Sequence, residues 1–159
     1  MKDTKEQEKI VEKSYIYETR VTWTQAHKAN LNCGSEGEKK PTIEVAVPPE
    51  FNGHEGIISP EELFVASINA CIMTTFLYFT EKLHANFKAY DSYGKGILSL
   101  AETPYRFTKV IIEPTITVEN KIEEKMVRKA IELAGKYCLI SSSINAKVEI
   151  LPDIKVLAK

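Results

Sequence analysis

The sequence predicts an α+β protein, because segments of alternating apolar and polar residues surround two helical segments. Alternation with a period of two is typical of half-buried strands, and apolar residues spaced by three and four indicate helices. The order is a strand cluster, a long central helix, more strands, a second helix and closing strands. We therefore expect a single domain over residues 1–159, in which residues 1–13 form a charged, loosely held N-terminal segment.

Three strands are predicted in the first third of the chain. Alternation marks the first two, a short connection containing His27 joins them, and Pro48 and Pro49 end the third. The predicted strands cover residues 15–24, 28–33 and 43–47. A loop then leads to the central helix.

The central helix begins with strong local signals. Ser59 is a typical N-cap, Pro60 suits the first helical position, and Glu62 completes a capping box. We expect this helix to end near Leu83.

No charged residue occurs from Leu63 to Thr80, a run just long enough to cross a membrane. The polar residues within it favour the alternative, a helix buried in a protein core. Burial on every side requires a sheet and a further cover, such as a second subunit.

The second half predicts strands, a helix and closing strands. Gly94 and Gly96 indicate a bulge or bend in one strand, and Pro114 indicates an edge or a bulge in the next. Asn120 caps the second helix, which should end near Gly135. The predicted strands cover residues 86–100, 105–118, 146–151 and 154–157.

Composition excludes several classes of protein. The chain has 21 basic and 22 acidic residues, so it lacks the basic field of a nucleic-acid or membrane-surface protein. Residues 1–13 lack the apolar core of a signal peptide. Three widely spaced cysteines do not form a secreted disulfide framework, and we expect a cytoplasmic protein. The histidines His27, His54 and His84 lack ligand spacing, so we expect neither a metal nor a cofactor.

The cysteines are the residues that carry reactive chemistry. A free cysteine is usually an inert buried side chain, and this is our interpretation of Cys33, which lies in a strand. Cys71 lies in the central helix, and Cys138 follows the second helix just before three serines. From the residues alone, both are either structural or reactive.

Two motifs resemble those of the OsmC/Ohr family, the osmotically inducible and organic hydroperoxide resistance proteins. SPEELFVASINACIMTTFL, from Ser59, is similar to the central-helix motif of that family. KYCLISSSINAKVEI, from Lys136, is similar to its second cysteine motif. The resemblance covers nearly the whole chain after Tyr15, with the motifs in the family's order.

The resemblance implies a fold of antiparallel sheets around a long central helix, in an intertwined homodimer with two sites at the subunit interface. It implies a thiol peroxidase acting on organic hydroperoxides. Cys71 would be the peroxidatic cysteine, Cys138 the resolving cysteine, and Glu61 the active-site glutamate. An external dithiol, lipoyl-type in related proteins, would reduce the Cys71–Cys138 disulfide.

Two positions depart from the family pattern. His27 stands where the hydroperoxide-resistance branch has an arginine, which makes His27 the candidate cation, with Lys28 the alternative if the hairpin shifts by one residue. Leu139 replaces the usual proline after the second cysteine.

Helix geometry adds a constraint on Glu61. It precedes Cys71 by ten residues, about 15 Å along a regular helix, so it would reach the Cys71 of a partner chain.

Two other functions remain open alternatives. The first is a dimer that binds a hydrophobic small molecule without catalysis, and the second is a thiol switch without turnover. Turnover of a bulky organic peroxide with a dithiol distinguishes the enzyme from both.

Overall fold

The structure, a computed structural model, describes residues 14–100 and 104–157, so the predicted N-terminal segment 1–13 lies outside the described residues. The chain divides into two units, one ending at Ile58 and the other beginning at Ser59.

The N-terminal unit contains a three-stranded antiparallel sheet in the order β1-β2-β3. Its strands are β1 Thr19–Gln25, β2 Lys28–Cys33 and β3 Ile43–Ala46. The first strand starts four residues later than predicted, because its partner strand β2 ends at Cys33, which pairs with Thr19. The predicted half-burial of β1 is wrong for the single chain, in which all seven of its residues are exposed.

The C-terminal unit contains both helices and a second sheet. The elements are α1 Pro60–Leu83, β4 Ala89–Ser99, β5 Arg106–Val118, α2 Lys121–Tyr137, β6 Lys147–Ile150 and β7 Asp153–Val156. Strand β5 is central: β4 pairs with it antiparallel, while β6 and β7 pair with it in parallel on the other side. The α+β class is confirmed, but this sheet is mixed rather than purely antiparallel, because α2 carries the chain back before β6 begins.

Helix α1 has the predicted boundaries. The Ser59 hydroxyl accepts the Glu62 N–H at 3.1 Å, and the Glu62 carboxylate accepts the Ser59 N–H at 2.7 Å, which completes the capping box. The helix ends at Leu83, and its C-cap residue His84 has a φ of 53°, the left-handed conformation typical of a helix stop. Its length and composition would allow it to cross a membrane, a test that core helices of soluble proteins also pass.

One face of α1 enters the core of this unit. Its buried residues recur at four-residue spacing: Ile68, Ile72, Phe76 and Thr80. They pack with apolar side chains of β5 and α2. The opposite face is exposed and uncharged between Ala66 and Tyr78, so the unit supplies only part of the cover that the sequence predicts.

Three expectations for the strands and α2 need correction. Strand β4 runs through Gly94 and Gly96, and its irregularity follows at Ile97 and Leu98. A Cβ on Gly96 would lie 2.5 Å from Val65 of α1, so this glycine permits close packing of helix on sheet.

Strand β5 is not an edge strand. Pro114 lies between the residues that pair with β6 and those that pair with β7, so its missing N–H removes no hydrogen bond to a parallel strand. Helix α2, which Asn120 caps as predicted, passes through Gly135 and ends at Tyr137. A Cβ on Gly135 would lie 2.7 Å from Ile150, so this glycine too serves close packing.

Candidate active site

Cys71 lies in the middle of α1, at the border of the buried face. Its neighbours Ile68 and Ile72 are fully buried, while Cys71 itself is half-buried and packs against the core. The helical spacing therefore turns the thiol toward α2 and leaves it partly accessible. A sulfur in this position can react with a small molecule from solution.

Cys138 directly follows α2, on the opposite side of the contact between α1 and α2 from Cys71. It caps the C-terminus of α2 in an extended conformation, with φ −62° and ψ 118°, and its side chain is fully buried. The Ser141 N–H donates to its sulfur at 3.5 Å. Both cysteines are free, and each side chain affects the pKa of the other, so the structure brings the two thiols close together.

The pKa of the Cys71 thiol is lowered despite partial burial, which acts to raise it. The opposing causes are hydrogen bonds that favour the thiolate. The donors are the Ile140 N–H, the Cys138 thiol, the Thr75 hydroxyl, whose oxygen lies 4.0 Å from the sulfur, and the Leu139 N–H. None of these donors carries a charge.

The pKa of the Cys138 thiol is raised. Burial is the main cause, and the neighbouring Cys71 adds to it, while the Ser141 side chain and N–H act in the opposite direction. The position at a helix C-terminus, the negative end of the helix dipole, also disfavours a thiolate here. The pair is therefore asymmetric: the pKa of Cys71 is lowered and that of Cys138 is raised, so Cys71 is the more acidic of the two thiols.

Glu61 lies in the first turn of α1, ten residues before Cys71 in one continuous helix. The separation is about 15 Å along the axis, so the helix does not bring the two residues together. One carboxylate oxygen of Glu61 is buried and has no hydrogen-bond partner in the part of the chain that the structure describes. A buried carboxylate of this kind is suited to a cation from elsewhere.

His27 belongs to the N-terminal unit, in the turn between β1 and β2. Its Nδ1–H donates to the carbonyl of Asn52 at 3.1 Å, and its ring lies 6.4 Å from that of His54. Lys28 is the first residue of β2, and Cys33 is the last residue of β2 and exposed. The catalytic role of His27 stays a prediction.

Sequence reasoning missed the donors to the Cys71 sulfur. Every residue except proline has a main-chain N–H, so the residue types after Cys138 do not indicate which N–H groups act as donors. The serines were the polar residues that the sequence of this loop displayed. One signal was available: Leu139 replaces a proline, which has no N–H to donate. Among the described residues, no cluster of His, Cys, Asp or Glu side chains is arranged to hold a metal ion.

The chain is similar to a known protein family and to several solved structures. A family model described as OsmC-like protein matches residues 53–151. An OsmC-like protein of Vibrio cholerae is 21% identical over 87% of this chain and 99% of its own, with a TM-score of 0.74. The organic hydroperoxide resistance protein OsmC of Legionella pneumophila is 18% identical over 89% of this chain and 98% of its own, with a TM-score of 0.69.

A third solved structure, an organic hydroperoxide resistance protein from Elizabethkingia anophelis, is 17% identical over 92% of this chain and 100% of its own, with a TM-score of 0.70. No curated protein sequence matches the chain. At these identities the solved structures establish the fold, and the family model spans more than half of the chain. The family predicted from the two cysteine motifs is confirmed: the chain belongs to the OsmC-like protein family.

Proposed function

We propose that this protein is a cytoplasmic, cysteine-based thiol peroxidase that reduces organic hydroperoxides and so protects against oxidative stress. The observation that carries the proposal is the asymmetric pair, a half-buried Cys71 with a lowered pKa in contact with a buried Cys138 thiol. A peroxidase of this kind needs a thiolate to attack and a thiol to resolve. Two of the solved structures of this fold are named organic hydroperoxide resistance proteins.

The chemistry follows from the two sulfurs. The Cys71 thiolate attacks one peroxide oxygen, the O–O bond breaks, and the alkoxide leaves and takes a proton to become an alcohol. Cys71 is then a sulfenic acid. The Cys138 thiol attacks this sulfur, water leaves, and a Cys71–Cys138 disulfide forms. An external dithiol reduces the disulfide by exchange and is itself oxidised to a disulfide.

A homodimer is part of the proposal. The exposed, uncharged face of α1 supports it, because small residues such as Ala66 and Ala70 allow a second helix to approach closely. A hollow of about 320 Å³ between α1 and β4 opens beside these residues. In such a dimer the buried carboxylate of Glu61 would act on the Cys71 of the partner chain.

Turnover of cumene hydroperoxide with a dithiol tests the proposal. We expect reduction of cumene hydroperoxide to be faster than reduction of hydrogen peroxide, because the surroundings of Cys71 are apolar. Cys71→Ser should abolish turnover. Cys138→Ser should consume a single equivalent of peroxide and leave a sulfenic acid at Cys71 that dimedone captures.

Cys33→Ser is the matched control and should keep full activity, since Cys33 lies on a strand of the N-terminal unit. A disulfide that forms without catalytic turnover would contradict the enzyme and favour a thiol switch. If neither a disulfide nor turnover is found, the cysteines are not a redox pair.

A further inference from the structure

Three serines come after Cys138 in the turn that follows α2, and one of their hydroxyls differs from the other two. The Ser142 hydroxyl donates to the Leu139 carbonyl at 2.9 Å, and the Ser143 hydroxyl donates to the same carbonyl at 2.7 Å. The Ser141 hydroxyl oxygen is buried and forms no hydrogen bond with the described part of the chain. A buried hydroxyl without a partner is uncommon in native proteins and destabilises the fold, so this one calls for an explanation.

The main chain of Ser141 is directed at the Cys138 sulfur, to which its N–H donates at 3.5 Å. The Ser142 N–H donates to the Cys138 carbonyl at 3.1 Å, and the Ser143 N–H donates to the Ile140 carbonyl at 3.0 Å. These hydrogen bonds hold the turn and keep Ser141 next to the thiol. Rotation about one side-chain bond can therefore bring the Ser141 hydroxyl to the sulfur.

Cys138 has a particular need for such donors. As the resolving residue it must lose its proton before it attacks Cys71, because the thiolate is the nucleophile. Its side chain is fully buried, and burial raises the pKa of its thiol, whereas the side chain and the N–H of Ser141 act to lower that pKa.

No basic side chain of the described residues offers the same help to Cys138. The Lys136 ammonium, close by in sequence, lies 5.3 Å from the centre of the Tyr137 ring. Cys71 is the titratable group that acts on the Cys138 thiol within the described chain, and it acts to raise the pKa of that thiol. Ser141 is therefore the residue placed to favour ionisation.

We propose that Ser141 activates the resolving cysteine, because its N–H and its hydroxyl both donate to the Cys138 sulfur once that sulfur is negatively charged. The hydroxyl has no partner while the thiol is neutral and gains its acceptor when the proton leaves. Ser141 is thus a positioning residue that acts on the reaction through Cys138. The inference deepens the proposed function and rests on it, since it takes Cys138 as the resolving thiol.

The resolving step can be followed without a peroxide. In a Cys33→Ser background, the Cys71 thiolate attacks one equivalent of the neutral disulfide dithiodipyridine, forms a mixed disulfide and releases one thiopyridone. The Cys138 thiolate then attacks the Cys71 sulfur, the mixed disulfide breaks, a Cys71–Cys138 disulfide forms and a second thiopyridone leaves. Absorbance records the two releases as successive phases, and the second phase reports the reactivity of Cys138.

Ser141→Ala removes the hydroxyl and keeps the N–H. It should fold like the parent, because the hydroxyl that it removes forms no hydrogen bond in the described chain. We expect its second phase at pH 7 to be about three- to tenfold slower, since fewer Cys138 thiols are ionised and the higher nucleophilicity of a more basic thiolate compensates for only part of this loss. The first phase should keep the parent rate, because it reports Cys71.

The pH profile of the second phase distinguishes activation from a purely structural role. The parent and Ser141→Ala should approach the same rate at alkaline pH, where Cys138 is ionised in both proteins. A displaced turn would instead slow the second phase at every pH. Ser142→Ala is the matched control and should keep the parent profile, since the Leu139 carbonyl that loses this donor keeps the Ser143 hydroxyl.

The outcomes separate this role from the peroxidase itself. A Ser141→Ala protein with the parent rate at pH 7, or one slowed by the same factor at every pH, would overturn the role of Ser141. An equal effect of Ser142→Ala would also overturn it, because the turn as a whole would then be responsible. A parent without a second phase would contradict the redox pair, whereas the expected profiles in a protein that does not reduce peroxides would contradict the proposed function alone.

Discussion

At the residue scale, Cys71 and Cys138 have the same side chain, but the pKa of Cys71 is lowered and the pKa of Cys138 is raised. The difference comes from their positions: one thiol is half-buried with several donors, and the other is fully buried at a helix C-terminus. The difference in pKa therefore comes from burial and from the hydrogen-bond donors around each sulfur, and no basic side chain of the described residues contributes to it. This distinction makes a prediction about His27.

The pH dependence of peroxide reduction separates the two sources of stabilisation. If N–H donors hold the thiolate, the rate should rise with pH through the ionisation of Cys71 and then stay level, because amides do not titrate. His27→Arg should leave this profile unchanged, since the Nδ1–H of His27 already donates to the Asn52 carbonyl. A parent rate that falls as the imidazole loses its proton, together with a rate retained in His27→Arg, would instead assign the cation to His27.

The residues of the site were predictable to different degrees. Both cysteines could be found because they lie in two motifs with a fixed order and spacing. The Leu139 and Ile140 donors could not, because a main-chain N–H belongs to every residue except proline and only the fold aims it. For Glu61, helix geometry predicts separation from Cys71 in its own chain, and the continuous helix agrees with this.

At the element scale, the contact of α1 with β4 depends on glycine. A Cβ on Gly96 would lie 2.5 Å from Val65 Cγ2 and 2.7 Å from Phe107 Cε1, whereas a Cβ on Gly94 would lie 3.2 Å from its nearest neighbour, also on Val65. The first distance requires a side chain, the helix or the sheet to shift, and the second requires only a small adjustment. The two glycines thus form a matched pair in one strand.

We expect Gly96→Ala to destabilise the protein relative to Gly94→Ala by about 1–3 kcal/mol, the usual cost of overpacking. Both substitutions lower the entropy of the unfolded chain equally, so this contribution cancels in the difference. Urea unfolding of the two variants and the parent measures this difference in the free energy of unfolding. Equal midpoints for the two variants would show that the helix does not press on Gly96.

Boundaries of elements were predictable where a local cap defines them and less so where pairing defines them. Ser59 and Asn120 begin their helices as expected, because each cap is formed by residues within four positions. The start of β1 and the parallel pairing of β6 and β7 depend on partner strands distant in sequence. At Gly94, Gly96 and Gly135 the sequence suggests local bends or ends, whereas each glycine packs closely against side chains far along the chain.

At the scale of the whole molecule, the open face of α1 predicts self-association. Ala70 lies at the centre of the exposed, uncharged stretch, and its small side chain favours close contact with a second copy. We expect a homodimer at micromolar concentration in sedimentation velocity experiments. Ala70→Glu should shift the protein toward monomers, because it would bury an unpaired charge at the contact.

Ala70→Ser is the control for this substitution. It changes the polarity of the same position with little change in volume and no charge, so the dimer should persist. A parent protein that sediments as a monomer at these concentrations would contradict the dimer. A dimer that survives Ala70→Glu would place the contact on another surface.

The uncharged length of α1 also affects how the protein is made. Its covering helix α2 ends at Tyr137, so 54 residues remain to be synthesised after Leu83 before that cover exists. At typical rates of translation this takes about 3 to 10 seconds. During that interval the nascent chain carries an apolar segment that lacks its second helix, and we expect the half-made chain to depend on chaperones more than the finished protein does.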